Sequence, residues 1–74
     1  MELHMVEVFK TNVRQRKQAK TLLNVIARQF PLLKVNFDLE DCDKILRVEG
    51  DNICQRTITA LVADNGYRCE LLES

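Results

Sequence analysis

Residues Ala19 to Glu40 read AKTLLNVIARQFPLLKVNFDLE, and the hydrophobic period changes from helical to extended within this one stretch. Before the proline, Ala19, Leu22, Leu23, Ile26 and Phe30 recur at the offsets that place side chains on one stripe of an α-helix, while Lys20, Thr21, Asn24 and Arg28 fall off it. After it, Leu33, Val35, Phe37 and Leu39 alternate with Lys34, Asn36, Asp38 and Glu40, which is the period of a strand with one buried and one wet face. Pro31 separates the two, because it cannot continue a helix and it biases Phe30 away from helical geometry. A helix feeding directly into a half-buried strand requires a sheet for the strand to join, so the flanking sequence is read for further strands.

Upstream, Met5 to Phe9 is rich in strand formers and gives way to the polar Lys10, Thr11 and Asn12. This is strand one, with Thr11 or Asn12 available to cap helix one. Downstream, the acidic cluster Glu40-Asp41-Cys42-Asp43 reads as a turn, and Lys44 to Glu49 supplies Ile45, Leu46 and Val48 for a third strand that returns as a hairpin and stops at Gly50. Asp51 or Asn52 caps a second helix whose apolar positions are Cys54, Ile58, Leu61 and Val62, with Asn65-Gly66 as its stop. Tyr67 to Leu72 is strand four.

The order strand, helix, strand, strand, helix, strand in 74 residues predicts an α+β fold of the ferredoxin-like βαββαβ type: a four-stranded antiparallel sheet with two helices on one face. A single domain spans residues 1–74. Polar residues at Lys34, Asn36, Asp38, Arg47, Glu49, Arg68 and Glu70 predict that the other face meets water. A chain this short buries only about 60% of the surface its unfolded form exposes, so every apolar stripe is needed for the core.

Eleven basic and eleven acidic residues cancel, so no global field draws the chain to nucleic acid or a membrane. No run approaches the roughly 18 apolar residues of a membrane helix, and the start, Met1 to Lys10, lacks a basic region followed by an apolar one. Three cysteines without a close pair do not make a disulfide framework, and a reducing, cytoplasmic location is the expectation. Cys54 and Cys69 fall at apolar positions of helix two and strand four and are read as core, whereas Cys42 is expected at the surface among carboxylates that suit a reactive thiolate poorly. The run Asp38, Glu40, Asp41, Asp43 lacks the glycine and spacing of a calcium loop and is read as a solvated turn.

One histidine, His4, and one serine, Ser74, with no glycine-rich phosphate loop, leave no catalytic constellation, so no enzyme activity and no cofactor are expected. RNA binding on this architecture uses exposed aromatics on the middle strands, and Phe37 is expected to face inward. Charge is distributed unevenly. From Lys10 to Lys34 there are seven basic residues and no acidic one, and nine of the eleven acids fall from Asp38 onward. Arg14, Gln15, Arg16, Lys17, Gln18 and Lys20 surround the start of helix one, where the helix dipole favours an anion, and they are the candidate site for a protein partner or a small anion.

The order of elements, the loop Asn12-Val13-Arg14-Gln15-Arg16-Lys17-Gln18 after strand one, and Asn65-Gly66-Tyr67 before the last strand resemble the heavy-metal-associated domain family of copper-chaperone-like proteins over almost the whole chain. The resemblance implies a metal site with two cysteines in that loop, and Gln15 and Gln18 stand at those two positions. Neutral amides are hard donors with negligible affinity for Cu(I), so the loop is expected to have lost the metal and, with Arg14, Arg16 and Lys17, to favour an anion. Two other readings follow. Copper or zinc would be held through Cys42 and Cys69, or the domain would sense a small molecule as a homodimer formed through the edges of strands two and four.

Overall fold

The computed structural model describes residues 4–40 and 42–72. The expected Asp41 in the hairpin turn and Ser74 at the end lie outside the described residues. The elements are β1 (Met5–Thr11), α1 (Arg16–Gln29), β2 (Lys34–Asp38), β3 (Ile45–Gly50), α2 (Gln55–Asp64) and β4 (Cys69–Leu71). The strands form one sheet in the order β2-β3-β1-β4, and each neighbouring pair is antiparallel. This is the ferredoxin-like α+β fold.

The helical stripe read from the sequence is the stripe that packs. Ala19, Leu22 and Ile26 of α1 are buried, and Ile58, Leu61 and Val62 of α2 join them over Phe9, Leu46 and Val48 of the two central strands. Both helices therefore cover the same sheet face, α1 over the β2 side and α2 over the β4 side. Leu33, Val35, Phe37 and Leu39 pack against this core but keep part of their surface, because β2 lies at the edge of the sheet. Arg47, Asn36 and Lys34 face the other side, where Arg47 bridges Glu49 at 2.6 Å. That bond holds the Glu49 carboxyl below its usual range.

Element ends differ from the sequence reading where tertiary hydrogen bonds intervene. Strand one extends two residues past Phe9, since the Thr11 N–H donates to the Asp43 and Lys44 carbonyls at 3.2 Å. Strand four is only three residues, because the Arg68 N–H donates to Asn12 Oδ1 at 2.7 Å and the Tyr67 N–H to the Val62 carbonyl at 3.3 Å. Lys44 has φ of 50°, a left-handed turn conformation, so β3 starts after it. Gly50 belongs to β3 and lies close to Leu33, whose Cδ2 would have to move aside for a Cβ at that position.

The expected stop at Asn65-Gly66 takes the form of a Schellman motif. Gly66 has φ of 92°, its N–H donates to the Ala63 carbonyl at 2.9 Å, and the Tyr67 N–H reaches Val62. The expected starts are corrected. Helix α1 is capped by Gln15 and not by Thr11 or Asn12, which serve other partners, and α2 is capped by Cys54 and not by Asp51 or Asn52. Cys54 is consequently exposed rather than core: it sits just outside the helix in extended geometry, and the neighbouring Ile53 takes the buried position instead.

Candidate functional site

The loop between β1 and α1 is built on Thr11 and Val13. Thr11 is buried on the helix side of the sheet, donates its hydroxyl to the Lys44 carbonyl at 2.6 Å and accepts the Val13 N–H at 3.3 Å. Val13 is fully buried and anchors a loop that is otherwise polar. Asn12 holds Arg68 from the loop between α2 and β4. The three loops therefore meet at one end of the sheet, as the topology predicts.

From this anchored loop the chain turns into α1. Gln15 is the N-cap residue, with φ of −109° and ψ of 141°; its N–H is accepted by Gln18 Oε1 at 3.4 Å and its carbonyl accepts the Ala19 N–H at 3.0 Å. The two glutamines thus form one arm of a capping box and serve their own helix. No acidic residue lies in the first turn, so no carboxylate of the helix itself offsets the positive end of its dipole. Arg14, Arg16, Lys17 and Lys20 are all exposed, and Gln18 is half-buried.

The structure divides three of these four cations between two concavities. Arg14 lines one of about 450 Å³ with Thr11, Asn12, Cys42 and Lys44. Arg16 and Lys20 line a groove of about 390 Å³ between α1 and β2, together with Ala19, Leu23, Phe37 and Leu39 and the acids Asp38 and Glu40. The Lys44 ammonium is turned toward its own hairpin, where it donates to the Leu39 carbonyl at 2.9 Å. Lys17 lines neither, and its carbonyl accepts the Thr21 hydroxyl at 3.0 Å.

The alternative ligands are differently placed. Cys42 is exposed in the hairpin turn. Cys69 lies opposite Thr11 in the sheet register and packs half-buried on the core, where burial pushes its thiol up to about 11. A thiol so held is a poor source of thiolate for a metal. Among the described residues no three His, Cys, Asp or Glu side chains are grouped to hold a metal ion. The acids of the turn have local partners: Asp38 Oδ1 accepts the Glu40 N–H at 3.2 Å, and Asp43 lies 3.9 Å from the Lys10 ammonium.

Thr11, Asn12 and Val13 shape this end of the molecule, and the periodicity of the sequence does not reveal them. Their partners lie 33 and 56 residues away in the cases of Thr11 and Asn12. No helix among the described residues is long and apolar enough to cross a membrane. The chain matches no family model, no curated protein and no solved structure.

Proposed function

We propose that this chain is a small non-catalytic interaction module that docks an anionic surface of a protein partner at the β1–α1 loop and the first turns of α1. The observation that supports it is the exposed set Arg14, Arg16, Lys17 and Lys20 around a helix N-terminus that carries no acid of its own. A cation held in this loop would face those four charges, whereas a carboxylate or phosphate gains both from them and from the dipole. Gln15 and Gln18 contribute by fixing where the helix begins. On this reading the heavy-metal-associated scaffold is retained as a docking platform in a cytoplasmic protein, with the metal function gone.

The test is amide chemical-shift titration of the full chain with a poly-glutamate peptide and, separately, with inorganic phosphate. Shifts centred on residues 13–20 are expected with the peptide, and the Arg16→Glu, Lys17→Glu double variant should lose them while keeping its melting temperature, since both side chains are exposed. Shifts spread evenly over the surface, or unchanged in the double variant, would remove the reading. Saturation by phosphate alone would make the ligand a small anion.

A further inference from the structure

The outer edge of the sheet carries a sequence that is complementary to itself. Strand β2 pairs with β3 on one side, and among the described residues no strand covers its other side, so a row of backbone N–H and C=O groups is open there. The usual safeguards of such an edge are weak in β2. It contains no proline, and its terminal charges are of opposite sign, Lys34 at one end and Asp38 at the other.

An antiparallel two-fold pairing centred on Asn36 sets residue 36 against itself and every other residue against its mirror position. Lys34 then meets Asp38, Val35 meets Phe37 and Leu33 meets Leu39. Directly opposed residues in an antiparallel pair share a face, so the lysine and aspartate meet on the wet face while the four apolar residues meet on the helix face. Lys34, Asn36 and Asp38 are exposed, and Leu33, Val35, Phe37 and Leu39 are half-buried with surface still to lose. The groove between α1 and β2 runs along this edge, its apolar floor of Ala19, Leu23, Phe37 and Leu39 flanked by Arg16, Lys20, Asp38 and Glu40.

We infer that a second copy of this chain docks on the β2 edge, joining two four-stranded sheets into one of eight strands across a two-fold axis at Asn36. A second copy fits by complementarity: about Asn36 the strand's own sequence sets opposite charges at both ends and apolar residues between them. The opposite edge resists the same arrangement, because β4 is three residues long and a two-fold centred on it would set Glu70 against Glu70. A two-fold pairing of one edge also closes, which yields a dimer and no fibre. Asp38 accepts the Glu40 N–H within its own chain, and the pairing with Lys34 adds to its local bonds without requiring their loss. Strand pairing alone makes a small interface, so the dimer is expected to be reversible and of modest affinity. The inference is independent of anion docking on α1, and a silent anion titration leaves it standing.

Sedimentation equilibrium of the full chain from low micromolar to millimolar concentration reads it. A monomer–dimer equilibrium is expected for the natural sequence. Lys34→Asp and Asp38→Lys each place like charges at both ends of the seam and should weaken dimerisation about tenfold or more, with circular dichroism showing a folded chain. An equimolar mixture of the two variants restores opposite charges at both ends and should recover dimer, as should the double charge swap in one chain; Glu70→Lys should change nothing. Natural protein that stays monomeric over the whole range, single variants that dimerise like the parent, or loss of dimer on Glu70→Lys overturns the inference. If a variant does not fold, amide exchange of the natural chain decides: residues 34–38 should exchange more slowly at millimolar than at micromolar concentration while β4 does not change, and exchange independent of concentration overturns it.

Discussion

The three cysteines hold three different environments, and their chemistry follows from position. Cys54 occupies the N-cap position of α2 in the open, where the neighbouring Thr57 hydroxyl, with the backbone N–H groups of Thr57 and Arg56, holds its thiol below the ordinary range. Cys69 is packed on the core, and burial raises its thiol to about 11 from the ordinary 9.0. Labelling by an alkylating reagent at neutral pH should therefore modify Cys54 well before Cys69, and Thr57→Val should slow Cys54 and move its labelling midpoint to higher pH; equal rates for Cys54 and Cys69 would contradict the assignment. A stability effect of fixed sign accompanies Cys69. Its pKa is raised by folding, so the unfolded chain loses this proton first as pH rises, and the stabilisation is complete below about 9 and lost between about 9 and 11. Thermal melts over that interval should fall more steeply for the natural chain than for Cys69→Ala.

At the scale of elements, α1 and α2 each bury three apolar side chains in the core, and those of α1 are not equal to the other apolar residues near it. Ile26 is fully buried in the core, while Leu32, six residues on, is 93% exposed in the turn after Pro31. Ile26→Ala should cost about 2–5 kcal/mol by lost burial and the cavity left behind. A domain of this size has a total stability at the low end of about 5–15 kcal/mol, so the variant should be close to unfolding in urea at room temperature. Leu32→Ala should stay within about 0.5 kcal/mol of the parent, although it removes the same kind of side-chain surface. Element ends follow a different rule. The stop of α2 was legible because Gly66 alone supplies a positive φ there, whereas its start was not, because Asp51 and Asn52 are better capping residues than the Cys54 that the loop delivers to that position.

For the whole molecule, one buried hydroxyl joins parts of the chain that are far apart in sequence. Thr11 ties β1 to the hairpin through the Lys44 carbonyl and orders its own loop through the Val13 N–H. Thr11→Val keeps the shape and removes both bonds, leaving the Val13 N–H without its acceptor. The expected loss is about 1–2 kcal/mol by urea unfolding, with faster amide exchange at Val13. An unchanged midpoint would show that the loop end is held by Val13 packing alone. Because the candidate docking residues Arg14 to Lys20 follow directly from this anchor, the same variant should also blur any shifts seen there with an anionic peptide.

Alone, the sequence determined the six elements, their order and most residues of the core face, though not Val13 or Ile53. These rest on hydrophobic periodicity and on prolines and glycines, which act over a few residues and leave their mark in any window of the chain. The alternation in Leu33 to Leu39 was legible in the same way, and so was the unequal charge that marks the start of α1. Only the tertiary structure decided where the strands end, which residues cap the helices, that Cys54 faces water while Ile53 is buried, and that three of the four candidate basic residues divide between two concavities. Each of those outcomes depends on a partner brought close by folding, as Arg68 is to Asn12 and Lys44 to Thr11, and a contact across tens of residues leaves no local pattern to read. The self-complementary order of β2 was present in the sequence throughout; it acquired meaning when the sheet placed that strand at an edge.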